Sequence, residues 1–86
     1  MDKDATLEFT PRTTLTDKAY TRLEELIVTL QIMPGEVLSE AEVASQLNIG
    51  RTPIREALYR LSHEGLVRIM ARRGYLVTEV NAQKQL

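Results

Sequence analysis

The chain has 86 residues, 43% hydrophobic and 27% charged, which predicts one small globular domain; such a domain buries only about 60% of its unfolded surface, which leaves little room for a buried catalytic site. The lack of cysteine excludes disulfides and thiolate metal sites, and the lack of any apolar run near about 18 residues predicts a cytoplasmic protein with no membrane partner. The net charge of −1 is unevenly spread, because residues 1–50 carry four Lys/Arg against nine Asp/Glu and residues 51–86 carry seven against three, an asymmetry that suits local phosphate binding.

A flexible arm and one long helix are expected first. Residues 1–13 show no hydrophobic periodicity and should form the arm. A helix over residues 15–32 is then predicted by apolar side chains at three- and four-residue steps, namely Ala19, Leu23, Leu26, Ile27 and Leu30. Thr14 and Asp17 form a capping pair at its start, and Pro34 should stop it.

A short second helix should begin at a capping box formed by Ser39 and Glu42. This box also accounts for Glu40 and Glu42 as acids of the first turn, which the helix dipole favours, rather than as paired catalytic carboxylates. Asn48 is placed to end the helix in a left-handed conformation. Gly50 can then serve as the N-cap of the next helix.

A third helix and a hairpin complete the expected fold. The helix should span residues 51–64, with an apolar stripe formed by Ile54, Ala57, Leu58 and Leu61. Two apolar runs, residues 66–70 and 75–80, then flank the turn 71–74 and predict a β-hairpin with Gly74 at positive φ. The expected fold class is α+β, mostly α: a winged helix-turn-helix domain over residues 14–80, built of three helices and a β-hairpin wing. Residues 81–86 should begin a linker to a further domain.

These motifs resemble the GntR family of bacterial transcription regulators, over roughly residues 15–80. The resemblance rests on the segments 34–40, 43–47, 51–58, 64–67 and 72–74, and it is strongest to the branch whose second domain is an all-helical, FadR-type metabolite sensor. It implies a homodimeric repressor or other regulator that binds a short palindromic operator in double-stranded DNA. A small-molecule effector would bind the second domain, outside these residues. Gly50, where the family usually has Ser or Thr, and Ala41, where some members have Arg, leave the operator sequence open.

The third helix carries the residues that the resemblance assigns to the recognition of bases, namely Arg51, Thr52 and Arg55. Arg51 and Arg55 lie one turn apart, and Thr52 lies opposite the buried stripe. In a major groove they could offer guanidinium groups to guanine O6 and N7 and a methyl group to thymine. The alternative is a solvated face with ion pairs such as Glu56–Arg60.

The expected wing carries Arg72, Arg73 and Gly74. The resemblance implies DNA contacts from Arg73 and Gly74, and Arg72 adds a second guanidinium group that suits a phosphate backbone or a narrow minor groove. The commoner role of such residues is simply that of a polar turn. Arg68, which should point outward while Ile69 points inward, could contact phosphate or solvent.

Two other classes of function remain to be compared. A winged helix can be a protein-interaction module that does not bind DNA, but the arginines of the third helix and the wing favour DNA. An enzyme is not expected, because the chain offers no nucleophile–base pair and no glycine loop for phosphate. His63 is the single histidine, so neither a metal site nor a cofactor is expected in this chain. Arg12 in the arm could also reach DNA.

Overall fold

The structure is a computed structural model that describes residues 14–79. Within them lie three helices, α1 (Leu15–Val28), α2 (Glu40–Leu47) and α3 (Arg51–His63), and three strands, β1 (Val37–Leu38), β2 (Val67–Met70) and β3 (Gly74–Val77). This is the predicted winged helix-turn-helix fold. The predicted arm, the last residue of the predicted wing and the predicted linker lie outside the described residues. None of the helices between residues 14 and 79 has both the length and the hydropathy of a membrane span.

Helix α1 begins as predicted and ends four residues earlier. The Thr14 hydroxyl accepts from the Asp17 N–H at 3.0 Å, and the Asp17 carboxylate accepts from the Thr14 N–H at 3.3 Å. At the other end Leu30 has a φ of 63°, and the Leu30 and Gln31 N–H groups return to carbonyls of the last turn. This closure is a Schellman motif, which reverses the chain before Pro34 is reached. The predicted end at residue 32 is therefore wrong, and Leu30 is exposed instead of facing the core.

The turn between α2 and α3 follows the prediction closely. Asn48 has φ 58° and ψ 45°, which is the left-handed conformation expected of it.

At the start of α2 the Ser39 hydroxyl accepts from the Glu42 N–H at 3.0 Å. Among residues 14–79 only Thr14 and Asp17 make both bonds of a capping box, so the full box predicted at Ser39 is only half formed. Helix α3 ends at His63, one residue before the predicted end.

The sheet has the order β1-β3-β2 and is antiparallel throughout. The hairpin of β2 and β3 was predicted, but β1, which pairs Val37 with Leu76, was not. Strand β3 ends at Val77 rather than at residue 80. Beyond it the Thr78 N–H donates to the Leu66 carbonyl oxygen and the Thr78 hydroxyl to that of Gly65. Ile69, expected to point inward, is 51% exposed.

The core lies between α1, α3 and one face of the sheet. All four residues of the predicted α3 stripe are buried, and α1 contributes three buried side chains to the same cluster. The complete set is Ala19, Leu23, Ile27, Leu38, Val43, Ile54, Ala57, Leu58, Leu61, Val67, Tyr75 and Val77. Burial of this stripe fixes the rotation of α3, so the opposite face of its first two turns is presented to solvent.

Candidate nucleic-acid interface

The first two turns of α3 expose the three residues that the sequence assigns to base recognition. Arg51, Thr52 and Arg55 are all exposed, whereas Ile54 between them is fully buried. The side chains of Arg51 and Arg55 are 61% and 47% accessible, so both guanidinium groups stand at the surface. The helical spacing therefore places them where a ligand can reach them.

Both arginines are anchored by a carboxylate on the neighbouring helix. Glu40, in the first turn of α2, accepts from Nε and Nη2 of Arg55 at 3.2 Å, and from Nη2 of Arg51 at 3.5 Å. The Tyr75 hydroxyl on β3 also donates to Glu40, at 2.7 Å. These four residues are called the Glu40 cluster below. From the sequence, Glu40 was expected only to be an acid of the first helical turn, and the cluster adds contacts with both arginines and with Tyr75.

The electrostatics of the Glu40 cluster favour its charged form. The Glu40 side chain is only 16% exposed, yet the hydrogen bond from Arg55, followed by that from Tyr75, lowers its pKa. The same bond raises the pKa of Arg55. Burial, and then the bond to Glu40, raises the pKa of Tyr75. The carboxylate and the guanidinium are therefore a stable ion pair, and the phenol remains a proton donor.

The wing turn places two arginines at the surface. Arg72 and Arg73 are exposed, and the Arg73 N–H donates to the Met70 carbonyl oxygen at 3.0 Å, which closes a β-turn. Arg72 has a φ of 63° at the third position of that turn, where glycine or asparagine is usual. A cleft between α2 and the wing is lined by Arg51 as well as by both wing arginines.

Gly74 has the predicted positive φ, at 122°. The turn is not the only reason for a glycine at this position. A Cβ atom on this residue would overlap the carbonyl oxygen of Leu38 and lie 3.3 Å from Val37 Cγ1. Glycine is therefore required here by the close approach of β1. Of the six predicted site residues, Gly74 is the one with a clear structural role in the sheet.

The other arginine of α3 faces the opposite way. Arg60 donates to Asp17 at 3.0 Å and lies 4.0 Å from the centre of the Tyr20 ring. The Glu56–Arg60 pair of the alternative solvated face is not formed, since Glu56 accepts from the Thr16 hydroxyl at 2.6 Å. These contacts join α3 to α1, so Arg60 does not contribute to the exposed basic face.

The remaining candidates fall in different places. Arg68 is exposed on β2, and Arg12 lies outside the described residues. His63 is exposed, and no group of three or more potential metal ligands occurs within residues 14–79. The basic face of the described chain therefore consists of the start of α3 and the wing turn, with Glu40 between them.

Comparison with known proteins gives one consistent family. The sequence model described as bacterial regulatory proteins, gntR family, matches residues 15–77. The HTH-type transcriptional repressor RspR of Escherichia coli is 35% identical over 74 residues, which are 86% of this chain and 32% of RspR. An uncharacterized HTH-type regulator of Streptomyces ambofaciens is 40% identical over 62 residues, or 72% of this chain and 26% of that protein.

Solved structures agree with this result. The E. coli protein McbR/YncC superposes with a TM-score of 0.75 at 27% identity, over 86% of this chain and 35% of that one. The chain thus spans about a quarter to a third of the length of the curated relatives it matches.

Proposed function

The chain belongs to the gntR family of bacterial regulatory proteins, and from this premise we propose that α3 is the recognition helix of its DNA-binding domain. Membership makes the chain a helix-turn-helix domain of a transcription regulator and not an enzyme. The proposal concerns how that domain meets the duplex. The observation that carries it is that Arg51, the first residue of α3, and both wing arginines line one cleft.

In this arrangement the first two turns of α3 enter the major groove. An α-helix with its side chains is about 10–12 Å across, and the groove of B-DNA is about 12 Å wide. Arg51 and Arg55 would offer their guanidinium groups to guanine O6 and N7, and Thr52 its methyl group to thymine. The contacts of Arg60 with α1 support this choice of face, because they fix the other side of α3 against the protein.

The wing would contact the backbone or the minor groove beside the recognition helix. Arg72 and Arg73 project from a turn that borders the same cleft as Arg51, so one duplex can reach both elements. Their guanidinium groups suit phosphate oxygens or a narrow, negative minor groove. The family resemblance also implies a DNA contact from Gly74, whose missing side chain makes room for β1.

The rest of the protein is part of the same proposal. Because the matched segments are only 26% and 32% of these relatives, we propose that the effector site and the dimer interface lie outside this chain. A FadR-type helical sensor, a small-molecule effector, a palindromic operator and a cytoplasmic location follow from the family resemblance. Joining two half-site domains would raise operator affinity by roughly 10²–10⁴ through effective concentration.

Selection of bound sequences from random duplexes, followed by titration of the selected operator, tests the proposal. Arg51→Ala and Arg55→Ala should each weaken operator binding by about 1–3 kcal/mol and relax the preference for one base pair. Arg22→Ala is the matched control, since it removes the same charge from an exposed site on α1, where Arg22 pairs, among residues 14–79, only with Glu25.

Two results would contradict the assignment. If both α3 variants bind the operator as tightly as Arg22→Ala, then α3 is not the recognition helix. If the base preference is unchanged while affinity falls, Arg51 and Arg55 contact phosphate and not bases. Failure to enrich any duplex would favour the alternative of a protein-interaction module.

A further inference from the structure

We propose that Glu40 is a positioning residue for DNA specificity, which holds the Arg55 guanidinium so that its free edge faces the bases. The inference rests on the proposed function of α3. Its starting point is an oddity of the interface, since a carboxylate lies between the arginines that would meet polyanionic DNA. A negative charge there opposes binding in general, so its benefit must lie elsewhere.

The hydrogen bonds leave one edge of the Arg55 guanidinium free. Glu40 takes the edge formed by Nε and Nη2, with contacts of 3.2–3.3 Å to its two oxygens. No residue among 14–79 accepts from Nη1 of Arg55. The outer edge, formed by Nη1 and the second hydrogen of Nη2, therefore remains available. This edge offers the pair of parallel donors that guanine O6 and N7 accept.

Glu40 is itself held more firmly than the arginines are. It starts α2 directly after the Ser39 cap, its side chain is 16% exposed, and the Tyr75 hydroxyl fixes one of its oxygens at 2.7 Å. The Tyr75 ring is buried in the core and lies 6.4 Å from the ring of Tyr59. The flexible Arg55 side chain is thus hydrogen-bonded to a rigidly held carboxylate. This restricts its rotamers before DNA binds, so less conformational entropy is lost when it contacts a base.

Two effects of opposite sign follow from the removal of the Glu40 charge. Non-specific affinity should rise, because a negative charge is lost from a surface that faces phosphates. Operator affinity should fall, because Arg55 is no longer held in one orientation. The ratio of operator to non-specific affinity therefore isolates the positioning role, whereas damage to the fold would lower both affinities together.

The experiment measures binding of Glu40→Gln to the selected operator and to a scrambled duplex at one salt concentration. We expect non-specific binding to be equal or tighter, and the specificity ratio to fall by about tenfold, which is the loss of part of one bidentate base contact. Glu42→Gln is the matched control, because it removes an equal charge from the same helical turn. Glu42 is exposed, and within the described part of the chain it contributes only its backbone N–H, to the Ser39 cap. This control should leave the specificity ratio unchanged.

A second variant keeps the test decisive if Glu40→Gln is poorly folded. Tyr75→Phe removes only the hydroxyl that fixes Glu40, and it should lower the specificity ratio in the same direction by a smaller factor. In an Arg55→Ala background, Glu40→Gln should change the ratio much less, because only the longer contact to Arg51, at 3.5 Å, is then lost.

The outcomes separate this inference from the proposed function. If Arg55→Ala leaves operator binding intact, the recognition helix itself is wrongly assigned. If Arg55→Ala lowers specificity but Glu40→Gln and Tyr75→Phe do not, only the role of Glu40 is overturned. Parallel losses of operator and non-specific affinity in Glu40→Gln would likewise overturn it and leave Glu40 as a purely structural residue.

Discussion

Replacement of Arg72 by glycine should make the domain more stable and its DNA binding weaker. Arg72 has a φ of 63°, a left-handed conformation that costs a residue with a Cβ atom roughly 1–2 kcal/mol. Its side chain is exposed and makes no hydrogen bond or ion pair with residues 14–79, so glycine removes no contact of the described fold. The greater freedom of glycine in the unfolded chain offsets about 0.5–1 kcal/mol of that gain.

The net stabilisation should therefore be about 0.5–1 kcal/mol, or a rise in Tm of roughly 2–8 °C for a domain of this size. If the guanidinium contacts phosphate, the slope of log affinity against log salt should flatten by about 0.9 at the same time. Backbone strain that persists at an exposed residue is often associated with function, which is why both quantities should be measured on one variant.

Arg73→Gly is the internal control for this prediction. It removes the same charge from the next residue, whose φ is not positive, so glycine there should lower stability by about 0.5–1 kcal/mol. Thermal unfolding and salt-dependent titration of the two variants complete the assay. Equal Tm values for the two variants would refute the argument from strain, and an unchanged salt slope in both would show that the wing does not contact phosphate.

Two further predictions concern stability. Gly74→Ala should destabilise the domain by roughly 2–4 kcal/mol in chemical denaturation, since its methyl group would overlap the Leu38 carbonyl oxygen and its φ is 122°; a loss below about 1 kcal/mol would mean that β1 moves aside freely. Hydrogen bonds from Thr14, and then from Arg60, lower the pKa of Asp17 below 3.8. The contribution of the Asp17 carboxylate to the free energy of unfolding is therefore complete above its pKa in the unfolded chain. That contribution is lost as the pH falls through the lower pKa of Asp17 in the folded domain. The free energy of unfolding of Asp17→Asn should accordingly fall less steeply as the pH is lowered. A pH dependence identical to that of the parent domain would contradict this prediction.

Local sequence patterns were sufficient for most of the helical structure. The stripe of α3 and the cap at Thr14 depend on residues within a few positions of one another, and the structure confirms them. The end of α1 was missed for a physical reason, since Leu30 occupies a left-handed position that its side chain disfavours. The helical pattern continues past that point, and only the closing hydrogen bonds to Leu26 and Ile27 reveal that the helix has ended.

The non-local features could not be read from such patterns. Strand β1 has two residues, and its partners on β3 lie more than thirty positions further along the chain. The Glu40 cluster similarly joins residues from α2, α3 and β3. Because the capping preference alone explains an acid in the first turn of a helix, nothing in the local sequence marks Glu40 as a partner of Arg55. That assignment requires the packing of three elements.

The distribution of acids explains how a chain with a net charge of −1 can present a basic face. Glu56 and Glu64 of the α3 region accept hydrogen bonds from the Thr16 and Tyr20 hydroxyls of α1, and the bond to Glu64 raises the pKa of Tyr20 to about 12. The same helix therefore directs its carboxylates towards α1 and the arginines of its first two turns away from it. Screening reduces charge interactions beyond about 8–10 Å at physiological salt, so a duplex at the cleft would respond mainly to the local arginines and to Glu40. Among the residues that line the cleft Glu40 is the acidic one, which makes its charge the most direct means of altering specificity without changing the arginines themselves.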